Sequence, residues 1–197
     1  MKSLLAALCA ATALFAGAAH ATTISLSPVS QTSSLGSAVQ VDLDISGVNN
    51  GATPSLGAWD VSISADPTIL SFNSATFGTN LDVLGLGDIQ SVTSAANGTT
   101  ELYEISLDSA ADLSSLQAQD FTLATLYFNT SGPGTTPLDI SIDSLADANG
   151  NGLTADVTSA TITVAQPATV PEPSTLSLLL PALAALMWLG NRHRRAA

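Results

Sequence analysis

Leu56-Gly57-Ala58-Trp59-Asp60-Val61-Ser62-Ile63-Ser64-Ala65-Asp66-Pro67-Thr68-Ile69-Leu70-Ser71-Phe72 sets the character of this 197-residue chain. From Trp59 to Ser64, apolar and polar residues alternate without a break, the period of a strand with one buried face. Trp59, Val61 and Ile63 take the inner face, and Asp60, Ser62 and Ser64 the outer. Asp66-Pro67 then supplies a turn and Ile69–Phe72 a second strand. The same alternation runs through Val39–Ile45, where Gln40, Asp42 and Asp44 oppose the apolar set.

Working outward, further strands are expected at Thr23–Val29, Ile89–Val92, Glu101–Leu107, Leu123–Asn129, Leu138–Ile142 and Ala155–Val164. Turn chemistry separates them at Asn49-Asn50-Gly51, Asn97-Gly98, Ser131-Gly132-Pro133-Gly134 and Asn149-Gly150-Asn151-Gly152. About nine short strands joined by such turns predict an all-β fold, an antiparallel β-sandwich or jelly roll. One or two helical turns are expected within Asp112–Gln119. Thr22 to Pro167 is one domain's length of chain, and Pro167 to Pro173 reads as a linker.

Charge narrows the chemistry. The chain holds 16 acids against 4 bases. Those bases are Lys2, Arg192, Arg194 and Arg195, and the histidines are His20 and His193. The stretch from Thr22 to Pro167 therefore contains no Lys, Arg, His or Cys. It offers no cation to neutralise nucleic-acid phosphates and no imidazole for a Ser-His or Cys-His nucleophile. Lysine and arginine chemistry on oxyanions is excluded with them. Glu101 and Glu104 could be drawn as a glycosidase-like acid pair, but nothing in the spacing separates them from any other two acids. Solvated, outward-facing carboxylates are the expectation. A non-enzyme is the reading that follows.

The ends are addresses. Residues 1–21 carry a basic start at Lys2, an apolar stretch from Leu4 to Ala18 and the small-x-small triplet Ala19-His20-Ala21, the layout of a signal peptide cut between Ala21 and Thr22. Cys9 lies inside the apolar stretch and leaves with it. At the other end stand Pro171-Glu172-Pro173, an apolar run from Leu176 to Gly190, and Arg192, Arg194 and Arg195. A helix over that run would rise about 22 Å against a hydrocarbon core of about 30 Å. It reads as a short anchor in the inner membrane, with the basic tail (191–197) cytoplasmic by the positive-inside rule.

This ordered trio of motif, helix and basic tail resembles the PEP-CTERM sorting signal of Gram-negative exported proteins. The resemblance implies an exosortase-type processing enzyme as a partner. It also implies an inner-membrane-tethered intermediate and delivery to the cell surface or extracellular matrix, often beside exopolysaccharide. A plain tail anchor is the alternative reading of the same residues.

The middle of the chain resembles a cohesin, a nine-stranded jelly roll related to carbohydrate-binding sandwiches. Four stretches carry the likeness: Gly36–Leu43, Leu56–Phe72, Phe121–Phe128 and Ala146–Gly152. It implies a non-catalytic binding module whose partner is a dockerin-like protein, engaged through one sheet face. Asp60, Ser62 and Ser64 would lie on that face. The alternative is a polysaccharide-binding or structural matrix protein.

Two local features remain. Asp147-Ala148-Asn149-Gly150-Asn151-Gly152 matches the front of a calcium loop, with Asp147, Asn149 and Asn151 as oxygen ligands for Ca²⁺. Thr158 stands where such a loop needs its closing Glu, and a tight β-turn asks for the same Asn and Gly residues. Trp59 could stack on a sugar ring, but its phase with Val61 and Ile63 places it in the core. Tyr103 and Tyr127 are the rings expected to reach solvent.

Overall fold

The computed structural model describes residues 21–166 and Leu183. Most of the expected signal peptide (1–20), the motif Pro171-Glu172-Pro173, the apolar run 176–190 and the tail with Arg192, Arg194 and Arg195 lie outside the described residues. Two sheets pack face to face. Among the described residues the eleven strands are β1 (Thr23–Ser27), β2 (Ser30–Ser34), β3 (Ala38–Ser46), β4 (Leu56–Ser64), β5 (Leu70–Phe77), β6 (Asp88–Ser94), β7 (Thr99–Ser106), β8 (Phe121–Thr130), β9 (Gly134–Asp147), β10 (Asp156–Thr158) and β11 (Ala160–Ala165). One sheet runs β10-β1-β3-β8-β5 and the other β2-β11-β9-β4-β7-β6.

Alternation builds the core between them. Val39, Val41, Leu43 and Ile45 of β3 and Trp59, Val61 and Ile63 of β4 are all buried, with Leu126 and Phe128 of β8 and Ile162 and Val164 of β11. Each aliphatic side chain of this set contributes roughly 1.5–3 kcal/mol by leaving water. Asp42 and Asp44 face outward from β3, where they accept hydrogen bonds from the Thr125 and Thr122 hydroxyls of β8 at 2.7 and 2.6 Å.

The sandwich is not purely antiparallel, as the strand pattern alone suggests. β1 pairs with β10, and β2 with β11, in parallel. The cause lies in the two terminal segments. The expected strand Thr23–Val29 ends at Ser27 because Pro28 has no N–H to continue a ladder. The chain then crosses to the other sheet as β2. The expected strand Ala155–Val164 divides in the same way at Ser159, and its halves run alongside β1 and β2 in the same direction. One strand beyond the expected ones, β2, and one split raise the count from about nine strands to eleven.

The helix α1 covers Ala110–Leu116, slightly ahead of its expected place. Ser109 caps it, its hydroxyl accepting from the Asp112 N–H at 3.2 Å. Just beyond, the buried Gln117 amide joins α1 to the start of β4. It accepts from the Leu56 N–H at 2.7 Å and donates to the Leu56 carbonyl at 2.9 Å. The β6–β7 hairpin turns at Asn97-Gly98, where Gly98 has φ +87° and a Cβ would lie 2.1 Å from the Ala65 carbonyl oxygen. Only glycine meets both conditions. Among the described residues, no helix is long and apolar enough to cross a membrane.

Candidate functional site

Strand register lays out the outer face of β9-β4-β7-β6 as a grid. One row is Ala146, Ala58, Ile105 and Ile89; the next is Ser144, Asp60, Tyr103 and Ser91. A third is Ser141, Ser62, Glu101 and Thr93, with Ser64 and Asp139 below it. Asp60, Ser62 and Ser64 share this face because they alternate with the buried Trp59, Val61 and Ile63. Tyr103 is half-buried in the middle of the grid.

The face has two characters. Ile89 and Ile105 pair across β6 and β7 and are 46% and 43% exposed. Leu107 just past β7 and Leu84 and Leu86 in the preceding loop are exposed as well. That loop meets the end of β7 through the Ser106 hydroxyl, which donates to the Leu81 carbonyl, and through the Leu84 N–H, which donates to Asp108 at 3.3 Å.

Below the apolar row the face is acidic. A register shift in β9 after its Asp60 pairing turns Asp143 outward, where it accepts from the Ser62 hydroxyl at 2.6 Å. Burial raises the Asp60 carboxyl above its ordinary range, and the Glu101 and Asp143 charges add to the rise. One Asp60 oxygen is buried with no hydrogen-bond partner among the described residues. Polar groups left so carry a desolvation cost that a donor from outside could relieve.

Glu101 and Glu104 do not form an acid pair. Three residues apart on one strand, they point to opposite faces. Glu101 is exposed in the grid, whereas Glu104 faces inward at 1% exposure, contrary to the expectation of solvated acids. Its phase is that of Thr100 and Leu102, both buried. The Trp59 indole N–H donates to Glu104 Oε2 at 3.0 Å, and the Gln90 amide donates to Oε1 at 3.1 Å. That amide also donates to Asp88 Oδ2 at 2.8 Å. Burial pushes the Glu104 carboxyl up to about 8, Asp88 adds to the rise, and the Gln90 and Trp59 bonds oppose it. Sequence alternation does not mark Glu104 as facing in, because Tyr103 and Ile105 make the opposite phase of β7 equally apolar.

Asp147, Asn149 and Asn151 come together in one turn at the end of β9. Asp147 Oδ1 accepts from the backbone N–H groups of Asn149 and Asn151, both at 2.8 Å, and Oδ2 accepts from the Asn151 amide at 2.9 Å. These bonds, the Asn151 side chain first, hold the Asp147 carboxyl below its ordinary range. The Asn151 side chain thus presents N–H to Asp147, and both carboxylate oxygens already have donors. A cation would have to share or displace them. Asp147→Ala is expected to lower the melting temperature, because two backbone N–H groups and an amide lose their acceptor. Melting curves in CaCl₂ and NaCl at matched ionic strength distinguish an ion from the turn alone. An ion gives an excess in Ca²⁺ that Asp147→Ala removes, and screening of the acidic domain gives equal shifts.

No family model matches the sequence, and no curated protein does. Solved structures do match. A non-cellulosomal cohesin from Archaeoglobus fulgidus aligns with a TM-score of 0.55 at 17% identity, covering 74% of this chain and 91% of that one. The sixth cohesin of Acetivibrio cellulolyticus scaffoldin B, solved in complex with a Cel5 dockerin mutant, aligns at 0.57 and 20% identity, over 74% and 99%. CaCohA2 of Clostridium acetobutylicum aligns at 0.56 and 22% identity, over 73% and 92%. The fold of the described domain is that of these cohesins.

Proposed function

We propose that this chain is an exported, non-catalytic binding module that takes a protein partner on the outer face of β9-β4-β7-β6. The observation that carries the reading is the makeup of the grid. On it an apolar row of Ile89 and Ile105 lies beside Tyr103 and the acids Asp60, Glu101 and Asp143, on a sandwich with the cohesin fold. Apolar and aromatic side chains set beside charged ones are what protein interfaces present. A flat sugar-binding surface would line up several exposed rings, and the grid holds Tyr103 alone. The neighbouring cohesin of scaffoldin B has a dockerin as its partner, and a dockerin-like protein is the partner we assign here. With no base between Thr22 and Pro167, that partner is drawn in by its own Lys or Arg side chains.

Delivery belongs to the same proposal. Cleavage between Ala21 and Thr22 starts export. Pro171-Glu172-Pro173, the run 176–190 and Arg192, Arg194 and Arg195 then pass the chain to an exosortase-type enzyme, which leaves it at the cell surface or in the extracellular matrix.

The test is capture of partners from the source organism's secreted fraction on the immobilised full chain, with a glycan array run in parallel. One protein species is expected to be retained. Its affinity should fall about tenfold or more with Tyr103→Ala or Asp60→Lys, and its on-rate should weaken as salt rises. Retention of sugar with no protein would overturn the reading in favour of a polysaccharide-associated matrix protein.

A further inference from the structure

Strand β6 is an outer edge of its sheet, paired among the described residues with β7 alone, and none of its seven residues is buried. Its larger apolar side chains, Ile89 and Val92, are exposed. Apolar packing therefore does little to hold it, and an edge strand held by one ladder is a low-stability element. Gln90 and Val92 share the phase that faces the buried Leu102 and Glu104 of β7, and the side-chain bond across it is made by Gln90. Gln90 donates one amide group to both Glu104 Oε1 and Asp88 Oδ2, at 3.1 and 2.8 Å, and so holds the two carboxyl groups side by side. Two carboxyls held so close beside a buried site favour a proton on one of them.

We propose that Glu104, Gln90 and Asp88 form a proton-held latch that fastens edge strand β6 to the sandwich and so keeps that quarter of the binding face in order. The proposal rests on the reading of this face as the binding surface. Protonated, Glu104 donates to the Asp88 carboxylate while accepting from Gln90 and from Trp59 of β4. Once Glu104 is ionised, two negative carboxylates share a single amide beside the core. Among the described residues the surroundings supply no relief. Trp59 from β4 and Phe77 from β5, which packs on it with ring centroids 5.7 Å apart, are neutral. The adjoining segments bring further acids, Asp82 and Asp108, whose carboxylates accept from the N–H groups of Gly87 and Leu84. No Lys, Arg or His lies between Thr22 and Pro167. The least costly release is outward movement of β6, which carries Asp88 into water and takes Ile89, Ser91 and Thr93 out of the grid.

Trp59 reports on the latch directly, because its indole N–H bonds Glu104. In the full chain carrying Trp188→Phe, Trp59 is the sole indole, and its ¹H–¹⁵N signal is followed from about pH 6 to about pH 10. The expected result is one titration in the neutral-to-alkaline range. Across it, protection of the β6 amides from hydrogen exchange should fall about tenfold or more relative to β4 amides in the same sample. Glu104→Gln should abolish the titration and keep β6 protected throughout. Should that variant not fold, Asp88→Asn, on the exposed edge, should move the midpoint to lower pH. A flat indole signal, or a constant ratio of β6 to β4 protection across the titration, overturns the latch. These readouts need no partner, so their failure leaves the binding reading standing. A face that captures no protein while β6 titrates has the opposite meaning.

Discussion

Raising the pH from about 5 to about 8 is expected to lower the stability of the folded chain, and Glu104→Gln is expected to remove the greater part of that slope, Asp60, whose carboxyl is raised as well, carrying the rest. The sign follows from the buried carboxyl. In the unfolded chain Glu104 titrates near its ordinary 4.5, and in the folded chain near 8. Between those values the native state holds a proton that the unfolded chain has released. Stability therefore falls with pH by up to about 1.4 kcal/mol per unit. Its contribution is complete below 4.5 and gone once the pH has passed through 8. Two other carboxyls shift in the opposite direction, Asp66 through its bonds with Thr68 and Asp147 through those with Asn151. Their contributions are present above the ordinary 3.8 and vanish only as the pH falls below it, so the two windows do not overlap. Denaturant midpoints at fixed ionic strength, taken across this range for the parent and for Glu104→Gln, make the measurement. Parallel curves for the two would show that Glu104 is ionised in the fold and would sink the assignment.

That carboxyl also marks where the sequence stops being sufficient. Alternation in Val39–Ile45 and Trp59–Ser64 is enough to find β3 and β4 and to assign their buried faces, because each has a polar set opposite an apolar one. β7 has no such contrast. Its two faces read Thr100-Leu102-Glu104 and Glu101-Tyr103-Ile105, and each mixes an acid with apolar residues. The choice between them is made by Trp59 and Gln90, which reach Glu104 from β4 and β6 across long stretches of chain. Pairing, not local pattern, decides it. The parallel strands at the sheet ends were hidden for a related reason. Pro28 shows that a strand must stop, but nothing local says that the chain resumes in the opposite sheet. The proposed binding face is half legible: Asp60, Ser62 and Ser64 follow from one strand's phase. Asp143 joins them through a bulge and Ile89 through a neighbouring edge, neither of which a one-strand pattern can show.

Trp59 joins the core to the latch, and its replacement carries the second large effect. Trp59→Ala is expected to cost about 3–5 kcal/mol, the range for truncating a large buried ring. The ring is 1% exposed and packs against Phe77. Against a total of about 5–15 kcal/mol for a domain, that loss brings the fold near its limit. Trp59→Phe separates the ring from its N–H. It keeps an aromatic side chain beside Phe77 but leaves Glu104 Oε2 without the indole donor at 3.0 Å. The indole bond is one of two that favour the ionised carboxylate, so losing it strengthens the hold on the proton. Stability of Trp59→Phe should consequently go on falling to a higher pH than in the parent, whatever its absolute value. Denaturation of both variants across the same pH series distinguishes the two roles. A Trp59→Ala loss below about 1 kcal/mol would contradict the core placement, given the usual cost of such a cavity. An unchanged endpoint in Trp59→Phe would show that the indole does not act on Glu104.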